Sequence, residues 1–299
     1  MNNDLKIIND IYKPSKYTLK GKVKILSTND KDLVIKEKNP IISDRYKYLS
    51  SRGFNNFVPL IDTDRSNYDV FPFIYENNIP KEQKANELSR VAAIMHAKTS
   101  YNKEVDQSTY DNIYNSIINN CDYLKEYYST LYDNLFHLTY HRPYEILFLD
   151  YYSKINNTIL FCKSEIEIWY QMVSEKKNQR VSLIHNDLCL DHFIKADDDY
   201  LISFDKSKFD TPVLDMVKFY KKEYNNLDFS EVLKTYLYHF NFNEDELKLF
   251  FVLISLPDEL VFEESNNLKN LEKIYNLCNY INKTENLVGP YYFNDKEEE

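Results

Sequence analysis

Glycine is nearly missing from this sequence: three residues in 299, Gly21, Gly53 and Gly289, each isolated. Neither GxGxxG nor GxxxxGK[ST] occurs anywhere, so a nucleotide bound here lacks the usual glycine-lined phosphate cradle. Cysteine is sparse too. Cys121, Cys162, Cys189 and Cys278 lie far apart with no CxxC pair, which argues against zinc or a disulfide framework and suits reduced thiols in the cytoplasm. No apolar run approaches the roughly 18 to 20 residues of a membrane span. MNNDLKIIND at the start lacks the basic and apolar regions of a secretory signal. A cytoplasmic chain with no membrane partner is the expectation. Basic clusters are lacking as well: 37 Lys and Arg against 47 Asp and Glu give a net charge of −10. That balance is unsuited to neutralising nucleic-acid phosphates, and it tolerates a cationic small molecule.

What abounds is tyrosine, 27 residues with many Asn, Lys and Ile, a bias that fits an AT-rich genome better than a function. With 43% hydrophobic and 28% charged residues, the chain can bury a sizeable core, in one large domain or in two lobes.

The first seventy-five residues read as mixed α/β. YTLKGKVKILSTNDKDLVIKEK (17–38) alternates in short runs broken at Gly21 and at Thr28-Asn29-Asp30, the pattern of antiparallel strands joined by tight turns. A helix follows over 42–54, starting near Ser43 or Asp44 and stopping at Gly53. FVPLID (57–62) and YDVFPFIYE (68–76) read as two more strands, with Pro72 interrupting the second. From residue 81 the character changes. Ala85, Leu88, Val91, Ala92 and Met95 recur at helical spacing, and long helical segments follow near 109–136 and 144–176. The expected organisation is a small lobe at 1–76 and a helical lobe at 77–299, the latter holding a polar loop segment at 183–215. DKEEE at the end reads as a solvated tail.

Chemistry concentrates in LIHNDLCLDHFI (183–194). An apolar strand runs into a polar loop, then a strand at 192–194, an acidic turn at 197–199 and a third strand at 200–204. Asp187, just past the first strand, can accept a hydroxyl proton. His192 can ligate a cation through a ring nitrogen. The alternative is a surface hairpin whose His and Asp cap turns.

The pattern H-x-D-x-x-x-x-[N/H], followed by two apolar strands around an acidic turn, resembles the aminoglycoside phosphotransferase and choline kinase superfamily. HNDLCLDHFI is most similar to members in which His replaces the usual metal-binding Asn. The resemblance implies an α+β, protein-kinase-like bilobal fold, with a small antiparallel-sheet N-terminal lobe carrying one helix and a larger, mainly helical C-terminal lobe containing a catalytic-loop hairpin. It implies Asp187 as catalytic base, His185 as the residue orienting the loop, and His192 as a magnesium ligand. LVIK (33–36) resembles the strand whose Lys pairs with nucleotide phosphates, which nominates Lys36 with Asp44 as its acidic partner. ELSRVAAIMHAKT (87–99) and FDTPVLDMVKFY (209–220) resemble further segments in the expected order, with His96 a packing and hydrogen-bonding residue.

One departure matters. The superfamily's next motif reads I-D-F, and its Asp grips the metal that bridges the phosphates. Here the segment is LISFDKSKFDTP, and Ser203 stands where that Asp belongs. Asp205 lies two residues on; an Asp there also resembles the bacterial spore-coat kinase-like proteins, which read IDFD. Two functions are therefore expected. One is a small-molecule kinase using ATP or GTP and Mg²⁺ held by His192, Asp205 and Ser203. The other is a catalytically impaired pseudokinase that serves as a binding or assembly module. The acceptor and the oligomeric state are not legible.

Overall fold

The computed structural model describes residues 10–20, 23–61, 67–263 and 265–293. Alternating apolar residues build four antiparallel strands, β1 (Lys16–Lys20), β2 (Val23–Ser27), β3 (Asp32–Glu37) and β4 (Tyr68–Pro72), in the order β1-β2-β3-β4. Period-two alternation gives the sheet two different faces. Leu26, Leu33, Ile35, Tyr68 and Val70 form a buried cluster on one face, with Tyr12 and Ile61 packed against it. Val23, Ile25, Val34, Lys36, Asp69 and Phe71 alternate with them and line a pocket. The registers Ile25↔Val34, Val34↔Phe71 and Lys36↔Asp69 keep the sets apart. Lys36 reaches the pocket because Leu33 and Ile35 are committed to the core. A one-residue slip would expose both aliphatics at a cost of roughly 3–6 kcal/mol and bury the ammonium group.

Helix α1 (Pro40–Ser51) begins before the start expected at Ser43 or Asp44. Asn39 accepts the Ile41 N–H at 3.1 Å and Pro40 takes the first helical position, so the Asn-Pro pair is the start signal. Gly53 ends the turn after it with φ +74, a left-handed value that suits glycine. Segment 57–62 does not form the expected strand. Phe57 bridges Leu201 and Ile61 bridges Val70 in isolation, since Pro59 offers no N–H to a ladder. Strand β4 stops at Pro72 instead of continuing to residue 76. The turn expected at Gly21, the first nine residues, residue 62 and the DKEEE tail lie outside the described residues.

The chain continues through α2 (Lys81–Thr99), β5 (Tyr101–Glu104), α3 (Gln107–Phe136), α4 (Pro143–Val173) and β6 (Asn178–Ile184). Then come β7 (Phe193–Lys195), β8 (Asp199–Leu201), β9 (Lys208–Asp210), α5 (Val213–Glu223), α6 (Phe229–His239), α7 (Glu244–Ser255), α8 (Asn267–Val288) and α9 (Pro290–Phe293). The described residues of Met1–Ser100, Ser182–Asp210 and Val232–Phe240 form one compact unit, and those of Tyr101–Val181, Thr211–Glu231 and Asn241–Glu299 a second. Helix α2 and the segment 183–210 thus group with the N-terminal sheet, across the change of composition near residue 77.

In the second unit α3 packs along α4 through stacked tyrosines, Tyr114 on Tyr170 at 4.4 Å and Tyr132 on Tyr152 at 4.3 Å. Buried Glu165 of α4 accepts from Lys248 at 2.5 Å and from Tyr292 at 2.8 Å, so the short α9 is tied to the bundle. Among the described residues no helix is long and apolar enough to cross a membrane.

In the first unit the apolar stripe of α2 (Ala85, Leu88, Val91, Ala92, Met95) is wholly buried. His96 shares that burial and meets the Tyr236 hydroxyl through Nδ1 at 2.6 Å, while Ser182 donates to its carbonyl at 3.2 Å. A buried polar group that loses its partner costs about 1–3 kcal/mol. Tyr236→Phe should therefore lower stability by about that amount, read as a lower urea midpoint at unchanged slope. An unaltered midpoint would show that this hydroxyl contributes nothing.

Candidate functional site

Strand β6 pairs with β9 from Ser182↔Asp210 to Ile184↔Lys208 and then leaves the sheet at His185. His185 is fully buried and donates Nε2–H to the Ile202 carbonyl at 2.8 Å, which fixes the start of the loop. Asn186 takes a left-handed φ of 63 and its side chain donates to the Lys206 carbonyl at 2.9 Å. Asp187 follows. Its carbonyl accepts Nδ1–H of His192 at 2.8 Å and its carboxylate meets the Lys206 ammonium at 2.7 Å. With Nδ1 carrying the proton, His192 keeps Nε2 as its other ring nitrogen for chemistry.

A cavity of about 630 Å³ lies within this first unit. Lys36 Nζ enters it from β3 and donates to Ser203 Oγ at 3.1 Å, with Asp205 Oδ2 at 3.7 Å. The Lys36 side chain is 25% exposed and that of Asp205 43%, so this ion pair contributes about 1 kcal/mol or less. Ser203 is left-handed (φ 66, ψ 51), and a tight turn at Phe204–Lys206 follows it. That twist buries Phe204 edge-on to Tyr46 at 5.7 Å and to His185 at 5.1 Å, and leaves Asp205 facing the cavity. Burial, then the nearby Asp205 and Asp69 carboxylates, pushes the Tyr46 phenol pKa up.

Lys36, His192, Ser203 and Asp205 all line the one cavity. Asp187 and His185 belong to the loop that carries His192. Asp44 does not join them. It is exposed on α1, whose Ile42 and Tyr46 face the cavity instead; at 100° per residue Asp44 points about 200° away from Ile42. Three features escaped the sequence. Asp69 stands opposite Lys36 in register, is 4% exposed and accepts the Asn39 N–H at 2.9 Å; its signal was an acid inside the strand-like run YDVF. Glu76 pairs with Lys84 at 2.5 Å on the cavity wall. Lys206 contacts Asp187, and no motif marked it.

By themselves these donors fall short of a magnesium site, which would need oxygens from a bound phosphate and water to complete it. Mg²⁺ demands hard oxygen ligands in near-octahedral geometry. Here the hydroxyl of Ser203 already accepts from Lys36, the one carboxylate beside it faces the same ammonium, and the third candidate is an imidazole. Among the described residues no group of three or more His, Cys, Asp or Glu side chains can hold a metal ion.

The His192 pKa lies above the ordinary histidine value, chiefly through its hydrogen bond with Cys189; the Asp187 carbonyl adds to the rise and burial opposes it. The fold therefore favours the protonated ring. That stabilisation is complete below the unfolded value of about 6.5 and is lost as pH rises through the higher folded value. A proton NMR titration should find His192 above the ordinary value, and Cys189→Ala should bring it down. A native His192 titrating at or below the ordinary value would contradict this.

No family model matches the sequence, and no curated protein matches it. Solved structures do resemble it. An aminoglycoside phosphotransferase from Alicyclobacillus acidocaldarius subsp. acidocaldarius DSM 446 is similar with a TM-score of 0.69 at 10% identity, over 92% of this chain and 91% of that one. A glucosamine kinase is similar with a TM-score of 0.53 at 11% identity, over 95% of this chain and 78% of its own. Such identities carry the fold and nothing beyond it. The chain has the α+β, protein-kinase-like fold of the aminoglycoside phosphotransferases, a small antiparallel-sheet N-terminal lobe followed by a larger, mainly helical C-terminal lobe.

Proposed function

We propose that the protein is a phosphotransferase that moves the γ-phosphate of ATP or GTP to a hydroxyl of a small molecule. The observation that carries this is the meeting of Lys36 with Ser203 and Asp205 across 167 residues of sequence, on the turn whose next residue, Lys206, holds Asp187. Apolar walls from Phe73, Ile74, Phe193 and Ile202 suit the flat face of a base, and Glu76 on the same wall suits a ribose hydroxyl. Lys36 is placed for phosphate oxygens. Asp187 would take the proton of the acceptor hydroxyl as the oxygen attacks, with His185 keeping the loop in register. The net charge of −10 favours a cationic acceptor and disfavours nucleic acid. Four buried cysteines, none of them in a disulfide, suit a cytoplasmic setting.

Ser203 favours a second reading, a nucleotide-binding pseudokinase that serves as an assembly module. The two part on turnover. Release of nucleoside diphosphate should rise when ATP or GTP is supplied with the right alcohol from a panel of amino sugars, aminoglycosides, macrolides, choline and thiamine-like compounds. Asp187→Asn should lower that rate by roughly 10²- to 10⁴-fold while nucleotide binding persists. Failure of both nucleotides to bind would end both readings. Binding without turnover across the panel would favour the module.

A further inference from the structure

Resting on the nucleotide site above, we propose that this pocket neutralises the phosphate chain with two lysine ammonium groups, Lys36 and Lys206, in place of a divalent cation. The acids around the cavity are otherwise occupied or dispersed. Asp69 is buried against the Asn39 N–H, Glu76 pairs with Lys84, and Asp191 is an exposed residue of the cavity wall next to His192. Asp205 stands beside Lys36 at 3.7 Å, and buried Asp69 stands opposite it in register. A cation placed there would have to compete with the ammonium group for Asp205 and with the Asn39 N–H for Asp69.

The two ammonium groups are anchored on one short turn. Lys36 Nζ rests on Ser203 Oγ at 3.1 Å, and Lys206 Nζ on Asp187 at 2.7 Å. The turn itself is clamped. Ser207 donates to the Phe204 carbonyl through both its N–H, at 3.0 Å, and its hydroxyl, at 2.7 Å, and Asn186 donates to the Lys206 carbonyl at 2.9 Å. A fixed backbone therefore carries a solvent-facing charge, the Lys206 side chain being 65% exposed. The nearest partner of Lys36 is a neutral hydroxyl. With Asp205 the next neighbour at 3.7 Å, an incoming phosphate meets an ammonium group less cancelled than it would be with a further carboxylate at position 203. Backbone sterics do not explain the serine, because Asp tolerates the left-handed conformation at least as readily as Ser.

The test is calorimetric titration of the full chain with ATP and GTP, and with adenosine and guanosine, in EDTA and in excess Mg²⁺. The accepted nucleotide should bind at least as tightly in EDTA as with Mg²⁺. Lys36→Gln and Lys206→Gln should each weaken it about tenfold or more, the scale of a charge-assisted hydrogen bond, and leave nucleoside binding unchanged. Lys206→Arg should keep the affinity, and in Ser203→Asp added Mg²⁺ should strengthen binding. A wild-type chain that binds the triphosphate only with Mg²⁺, or a Lys206→Gln chain that binds it normally, would overturn the proposal while leaving the nucleotide site intact. Absence of binding by all four compounds in both buffers would remove the nucleotide site and the proposal together.

Discussion

A serine held in a left-handed backbone conformation is the constraint on which this site depends. For a residue with a Cβ that conformation costs about 1–2 kcal/mol, and Ser203 adopts it with φ 66. The burial of Phe204 immediately after it offsets the strain, since a fully buried phenylalanine contributes about 1.5–3 kcal/mol. The same twist distributes four successive side chains. Ser203 meets Lys36, Phe204 enters the core, Asp205 faces the cavity and Lys206 reaches Asp187. Straightening this turn would separate the lysine of β3 from the loop that bears the candidate base.

The sheet supplies the other half of the geometry by simple alternation. Leu33 and Ile35 anchor β3 in the core, so Val34 and Lys36 have one direction left to them. Strand β4 repeats the device with Val70 inward and Asp69 and Phe71 toward the cavity. Glycine scarcity then acquires a physical meaning. A phosphate in this cavity would be gripped by side-chain charge, for which β3 and the turn after β8 provide the placement, and not by a row of backbone N–H groups in a glycine-rich loop.

Much of this was legible in the sequence, for reasons that can be named. Lys36 was nominated because LVIK resembles the strand whose lysine meets nucleotide phosphates, His185 through the same resemblance, and Asp187 and His192 because they sit between two apolar strands. Ser203 was legible as a substitution, but its left-handed backbone and its bond to Lys36 were not. Conformation at a single residue leaves no period to read. Asp44 shows the opposite failure. It was nominated by proximity in sequence, whereas the helix phase set by Ile42, Tyr46 and Leu49 turns it outward. Asp69 and Lys206 depend on register and on a contact between segments 19 residues apart, which no local pattern encodes. The start of α1 was readable and was missed, since Asn39-Pro40 is a helix-start pair.

Binding a polyanion would set an acidic protein against its own charge, but distance resolves the conflict. At physiological ionic strength exposed charges farther than about 8 Å are largely screened. A phosphate in the cavity would therefore respond to Lys36 and Asp205 and, where it reached the turn, to Lys206 and Asp187, not to the total of −10. Within that set the balance is delicate, because each ammonium group already has an acidic neighbour. Ser203 tips it: a hydroxyl where a carboxylate would otherwise stand leaves the local sum less negative by one charge. The surrounding acidic surface would act at longer range and on a different molecule, raising the encounter rate of the proposed cationic acceptor. Short-range lysines for the donor and a long-range acidic field for the acceptor can thus operate in one chain without cancelling.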